Sequence, residues 1–543
     1  MKARFTPIVL GLSLFGLMIG PVFATSPSTS PNVLPKSKKI VRKNKVMPSK
    51  LSGDSVNTEN LYEPNIKTTT AVNDGSVAAG NSQIEGPTDL PSRGPLYLPV
   101  DLDVPGQSFV SSGPYIGVPL EFAGGYLIVN TPSVNEDILL LNLDKNVDQR
   151  LKALGRPIGK ALGSHILLSG LVEAQAFGKG GSGTNGASDI DLTSVNLDAY
   201  IMGPSTWTSA FFEFAYDNNI GTQTGAFTSN DRVLNSRVFL TKGFIILGDF
   251  TQSPFYASLG QMYVPFGTYS TTMVSAPLTR NLARTLARPL VVGYKSQDPN
   301  SLLLTAYIFS GPSKVNGSSH INNGGINVSY SFKQEKYNAV IGGGVISNIA
   351  DSLGMQLTGN NNNNPPLFGG FGGPIETYVP GGATNIPSGD VLQIATGSED
   401  LVHRVPAYDF NLKFGLGDNW QVIAEYIFAS TNFNNQDLQF DDHGAKPQAA
   451  NFEVIYNIPW ITYPTSISGG YQLSEDALAI GLPAKRYSMT ANTSFWRNTL
   501  QSLELRRDIN YGKSDTSTGS GVKGPTGNGG SANVITLQFQ YYF

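Results

Sequence analysis

A chain of 543 residues ordinarily divides into several globular domains, yet only 14% of these residues are charged and glycine contributes 60, a balance that suits turn-rich, apolar-faced strands and not a soluble multidomain enzyme. The 37 basic and 40 acidic residues nearly cancel, so nothing points to nucleic acid, which calls for a clustered basic footprint. The absence of cysteine excludes disulfides, thiolate metal sites and cysteine nucleophiles, and no apolar run after the N-terminus reaches the roughly 18 to 20 residues of a spanning helix.

Residues 1–24 read as an export signal, with Lys2 and Arg4 before an apolar stretch from Ile8 to Ile19 and a small-residue cleavage site at Val22-Phe23-Ala24. No cysteine follows the cleavage site, so the chain is not read as a lipoprotein. Residues 25–95 are rich in Ser, Thr, Asn and Pro and carry a basic run at Lys36, Lys38, Lys39, Arg42, Lys43 and Lys45; they are expected to form a flexible periplasmic segment. Residues 96–164 complete a periplasmic extension containing one helix at 133–155. Ser133 and Glu136 have the spacing of a capping box there, and Gly155 with Pro157 supplies a stop. The stripe of Leu140, Leu143, Val147, Leu151 and Leu154 suits either a coiled coil between protomers of a homo-oligomer or packing against the chain's own barrel or the 97–129 segment.

From His165 to the last residue the period changes to two. Ile535, Leu537, Phe539, Tyr541 and Phe543 occupy one face of the final strand and Thr536, Gln538 and Gln540 the other, as lipid on one side and a wetted lumen on the other require. Such an aromatic-ended strand resembles the signal that barrel-assembly machinery recognises, which makes that machinery an expected partner. The same alternation recurs in Val195, Leu197, Ala199 and Ile201, in Trp420, Val422, Ala424, Tyr426 and Phe428, and in Tyr487, Met489, Ala491, Thr493 and Phe495. The expected fold is therefore all-β, a transmembrane antiparallel β-barrel of about 16 strands spanning 165–543, with less regular strands at 232–241 and 290–295. Short connections at 203–206, 297–301, 333–336, 415–419, 458–463 and 497–498 alternate with long ones at 178–191, 217–231, 265–289, 311–322, 348–403, 430–448, 473–485 and 511–531. Short turns in the periplasm and long loops outside are the rule for barrels of the bacterial outer membrane. Trp207, Trp420, Trp460 and Trp496 all fall at short connections and predict a periplasmic aromatic girdle among the membrane lipids.

A barrel of this width leaves an aqueous channel unless loops enter it, so transport is the default function. The third long loop carries Arg280, Arg284 and Arg288 at four-residue spacing, so a helical turn would align three guanidiniums as an anion filter or carboxylate clamp. The bland alternative is a solvated loop face or contacts with lipopolysaccharide phosphates. Inward-parity charges at Glu173, Asp198, Glu213, Arg237, Asp409, Lys413, Glu425 and Glu453 line the expected lumen, with Arg237 and Lys413 as further cations for an anionic solute; most of the set reads as wall residues keeping the interior wetted. Asp441-Asp442-His443 sets no catalytic geometry, and His165, His320 and His403 lack metal-ligand spacing. The Asn-rich stretch 360–374 reads as a mobile loop. No enzyme activity and no cofactor are expected.

Three stretches, Leu127-Ile128-Val129-Asn130-Thr131-Pro132-Ser133-Val134-Asn135-Glu136-Asp137, the strand around 169–177, and Gly260-Gln261-Met262-Tyr263-Val264-Pro265-Phe266-Gly267 running on to Arg288-Pro289, resemble the LbtU-type siderophore porins of Legionella and related intracellular bacteria. The resemblance covers about 127–543. It implies an outer-membrane barrel that takes up a ferric siderophore, in Legionella a polycarboxylate whose charge Arg280, Arg284 and Arg288 would match. The 22-stranded siderophore receptors are plugged by a globular domain, and the region before His165 has the composition of no such plug. A general or anion-preferring diffusion porin, and a surface adhesin displaying loop 348–403, are the competing readings.

Overall fold

The computed structural model describes residues 120–123, 127–130 and 134–153 and, with breaks, 165–542; the longer breaks are 218–236, 358–374, 379–391 and 396–399. The expected signal peptide, the segment 25–95, Ser133, Gly155, Pro157, the Asn-rich stretch and Phe543 lie outside the described residues. A short hairpin, Leu120–Ala123 with Leu127–Asn130, precedes helix α1 (Glu136–Ala153).

Sixteen antiparallel strands then close into a barrel. They are β1 (His165–Gly180), β2 (Ala187–Met202), β3 (Thr208–Asp217), β4 (Arg237–Gly248), β5 (Phe255–Tyr263), β6 (Leu290–Lys295), β7 (Leu302–Phe309) and β8 (Asn323–Lys333). The second half comprises β9 (Tyr337–Ile346), β10 (Ala407–Leu416), β11 (Trp420–Ala429), β12 (Gln448–Asn457), β13 (Thr465–Glu475), β14 (Lys485–Thr493), β15 (Thr499–Ile509) and β16 (Ser531–Tyr542). Each strand pairs with its neighbour in sequence, and β16 closes on β1 in the register Tyr542↔Leu171 to Asn533↔Gly180. Closure leaves no strand edge in the membrane, where an unpaired backbone group has no water to bond.

The alternation read from the sequence is the inside and outside of this wall. Along β16, Ile535, Leu537, Phe539 and Tyr541 are exposed on the outer face while Thr536, Gln538 and Gln540 are buried inward. Trp207, Trp420, Trp460 and Trp496 are all exposed at the short-turn end, where Trp420 packs at a tilt beside Tyr456 (4.7 Å between ring centres) and Trp496 beside Phe539 (6.2 Å). This is the interfacial girdle, and with the apolar outer band it places the protein in the bacterial outer membrane. Long and short connections alternate as expected, with the long third loop between β5 and β6.

Two boundaries differ from the sequence reading. The strand expected at 232–241 runs instead over Arg237–Gly248, followed by a further short turn at 249–254. Its Phe244-Ile245-Ile246-Leu247 run does not alternate in polarity because both faces are apolar: Ile245 and Leu247 face lipid, whereas Phe244 and Ile246 are buried inward. Helix α1 starts at Glu136 rather than 133, and the Glu136 carboxylate is engaged with the barrel wall.

Candidate functional site

The third long loop, L3 (264–289), folds into the lumen. Its entry is a reversal at Gly267, whose φ of +76° suits glycine and where a Cβ would fall 2.5 Å from the Tyr269 ring. Beyond it a run of hydroxyl side chains, Thr268, Ser270, Thr271, Thr272 and Ser275, lies mostly buried, because the wall opposite supplies acceptors. Glu425 on β11 accepts from the Thr268 and Tyr269 N–H groups (2.6 and 2.9 Å) and, with its other oxygen, from the Thr279 hydroxyl. Glu453 on β12 accepts from the Thr272 N–H (2.8 Å), the Thr271 hydroxyl (3.0 Å) and the Thr272 hydroxyl. Gln472 on β13 accepts from the Leu278 N–H (2.9 Å), and Glu504 on β15 from the Val274 N–H (3.1 Å). On β14, Asn492 donates to the Thr272 carbonyl and Arg486 to the Ala276 carbonyl (3.4 Å). Five consecutive strands thus fasten one loop across the barrel. From the extracellular side the Ser352 hydroxyl donates to the Leu282 carbonyl (2.6 Å) and the Leu353 N–H to the Arg284 carbonyl (3.0 Å).

L3 carries the cations. Helix α2 (Leu278–Ala283) holds Arg280 in its last turn, and Arg284 is its C-cap. Arg284 lies over the Tyr263 ring at 4.3 Å, a stacking that uses the guanidinium face and leaves its N–H edge to read an anion. Burial, followed by the neighbouring Arg284, lowers the pKa of Arg280 to about 9, opposed by Tyr263, Glu173 and Tyr269, so the side chain remains cationic at neutral pH. Among the described residues, no carboxylate lies within ion-pair distance of Arg280 or Arg284.

The third arginine leaves this group. After Ala283 the chain becomes extended (Arg284 ψ 124°) and Leu286–Ala287 pair with Tyr263 and Met262. Arg288 is consequently exposed, with its Nε 3.4 Å from the Gln261 side-chain oxygen. A helical stripe of three guanidiniums is corrected to a pair, because α2 has only 6 residues. Arg237 opens β4 opposite Asp217, and its side chain lies outside the described residues. Lys413 is half-buried on β10, sharing the inward parity of Asp409 and Asn411 but belonging to the wall and not to L3. Asp441 and Asp442, both at positive φ, form the two-residue turn of a small hairpin in the loop after β11, where the Asp441 carboxylate accepts from the Thr516 N–H (2.8 Å).

The lumen also holds a part of the chain that the sequence reading left in the periplasm. The first two turns of α1 enter the barrel against β3, β4 and β5, with Val134, Glu136, Asp137, Ile138, Leu140 and Leu141 buried. Lys242 on β4 donates to both Glu136 oxygens (3.0 Å each) and pairs with Glu213 on β3 (2.8 Å). The Ser258 hydroxyl on β5 donates to Asp137 (2.7 Å). Leu141 meets Gly248 at the periplasmic end of β4, 3.5 Å from where a Cβ would stand, so the helix tip points up the barrel. The extension contains no globular plug among the described residues, but the start of its helix lies inside the barrel. Leu140 of the predicted apolar stripe packs inside the chain's own barrel; Leu143, Val147 and Leu151 have side chains outside the described residues.

Glu425 and Glu453 were legible as inward residues, though not as anchors of L3; Glu504, Lys242 and the α1 carboxylates were missed. The usable signal was the threonine-rich start of L3, since a buried row of donors needs a row of acceptors. Lys242 escaped because a bulge at Glu213/Phe214 shifts the register of β4.

No family model matches the chain. A UPF0422 protein of Legionella pneumophila (strain Lens) is 36% identical over 444 residues, covering 80% of this chain and 76% of the relative. A UPF0422 protein of Coxiella burnetii is 33% identical over 443 residues, covering 80% and 84% respectively. Among solved structures, the outer membrane channel DcaP of Acinetobacter baumannii is similar with a TM-score of 0.41 and 12% identity, covering 70% of this chain and 98% of that one. By its identity and coverage with the Legionella and Coxiella proteins, the chain belongs to the UPF0422 family.

Proposed function

We propose that this barrel is an outer-membrane, porin-like channel for a small anionic solute, and that the solute is a ferric siderophore of the polycarboxylate class. One observation carries the reading: Arg280 and Arg284 stand without ion-pair partners among the described residues, on a loop that crosses the lumen and is fastened to five strands. A guanidinium presents a planar fork of donors matched to carboxylate, and a fixed loop holds two such forks without reorganisation on binding. The resemblance to LbtU-type siderophore porins supplies the iron-bearing ligand class. Arg288, Arg237 and Lys413 would act as secondary cations along the path.

Planar-bilayer recording on the full chain, with Arg280→Ser and Arg284→Ser, tests the reading. Losing one charged hydrogen-bonding partner weakens binding by about 1.5–3 kcal/mol, so each substitution is expected to weaken block by a ferric polycarboxylate at least tenfold and to lower anion preference. Unchanged block and selectivity would remove the pair from the mechanism. A diffusion porin with anion preference is favoured by the same two arginines; it predicts loss of selectivity without any specific block, and normal growth of a deletion strain on the siderophore as iron source. A barrel that never conducts would leave only the display role of its loops.

A further inference from the structure

The lumen segment of α1 is held in an unusual way. Lys242 faces Glu136 and Glu213 directly, and Asp198 on β2 adds its negative charge nearby. Three carboxylates surround one ammonium, so Glu136 is one more than Lys242 needs. If Glu136 leaves, the ammonium keeps Glu213 at 2.8 Å and is not orphaned. A buried charge stripped of its partner is what normally makes breaking such a contact prohibitive, and here the barrel wall already contains the replacement. The other polar ties of the helix to the wall are the Ser258–Asp137 hydrogen bond and, one turn further along, the contact of Asp144 with the Tyr200 hydroxyl on β2.

The segment also stands in the way. Lys242 lies six residues above Gly248, about 20 Å along the strand from the periplasmic end, and a helix with side chains is about 10–12 Å across. One connected apolar cluster runs from Val134, Ile138 and Leu141 through Phe266, Tyr269 and Leu282 of L3 to Ile349 and Ile480 of the outer loops. L3 is fastened to β11–β15, whereas α1 lies against β3–β5, so the two cover different sectors of the wall.

We infer that the first two turns of α1 are a latched plug, a part of the chain that closes the barrel below L3 and must leave the Lys242 pocket for a solute to pass. The inference requires that the barrel conduct and is independent of which solute it carries.

The chain has no cysteine, so two introduced thiols report without background. Asp137→Cys with Ser258→Cys places sulfur atoms where an oxygen pair stood 2.7 Å apart, to be joined directly or by a short bis-thiosulfonate. In planar bilayers the joined protein is expected to stay closed, and reduction should raise conductance at least tenfold. Glu136→Ala alone, which removes the side chain that Lys242 holds, should raise the open fraction, and should speed labelling of a lone Ser258→Cys from the periplasmic side several-fold. Equal conductance in the joined and reduced protein, whether both open or both silent, overturns the plug. So does labelling of Ser258→Cys that Glu136→Ala leaves unchanged. Heat-modifiable migration of each variant shows that the barrel itself has folded, and mass spectrometry shows that the join is complete.

Discussion

Glu136 and Asp137 are charged groups placed where water does not reach them. Burial is the largest influence on both: it raises Glu136 well above its ordinary value despite Lys242, and raises Asp137 from 3.8 to about 6 despite the hydrogen bonds from Ser258 and Ile138. The charged or titratable groups facing them are Lys242 and Glu213, Asp198 on β2, and Tyr256 on β5. A withdrawn helix returns both carboxyls to water and their ordinary values, so the docked state binds protons more tightly. Docking is then strongest below about pH 4 and weakens as pH rises through about 6. Acidification from pH 7 to 4.5 is therefore expected to lower the open fraction several-fold in single-channel records, and Glu136→Gln with Asp137→Asn should flatten that dependence. Conductance that rises on acidification of the unaltered chain, with a flat response in the double variant, would reverse the assigned sign.

At the scale of elements, L3 and α1 show what a linear reading can reach. The existence, length and order of L3 followed from alternating connections, and α1 followed from its leucine spacing and the capping-box spacing of Ser133 and Glu136. Where each element lies did not follow. Thr268, Thr271 and Thr272 have the composition of a surface loop until Glu425 and Glu453, some 150 to 180 residues later in sequence, are brought opposite them. Phe244 and Ile246 likewise make sense only once Val134, Ile138 and Leu141 occupy the lumen beside them. If the glutamates fasten L3, Glu425→Ala with Glu453→Ala should free the loop without opening the barrel. Each lost charged acceptor is worth about 1.5–3 kcal/mol. A lone thiol at Ala276→Cys should then label at least tenfold faster, with larger and noisier conductance but an unchanged heat-modifiability midpoint. Slow labelling with a lowered midpoint would instead make Glu425 and Glu453 supports of the wall.

For the whole molecule, the wall was the most legible feature, because a barrel in lipid imposes one rule on every strand: apolar outward, anything that can be satisfied inward. That rule makes tolerance to charge a property of facing and not of sequence neighbourhood. Leu537 and Gln538 are adjacent on β16, but Leu537 faces lipid between Leu503 and Ala176, and Gln538 donates inward to Glu173. An arginine at 537 would have its charge in hydrocarbon, at a cost of roughly 2–4 kcal/mol near the midplane. An arginine at 538 would meet a carboxylate that already accepts from Gln538 and Gln540. Leu537→Arg is thus expected to lower the heat-modifiability midpoint of the folded barrel by several degrees and to reduce its yield in the outer membrane, while Gln538→Arg should leave both near those of the unaltered chain. Equal loss from the two substitutions would mean that β16 is read by position alone, and the assignment of its inner and outer faces would fall with it.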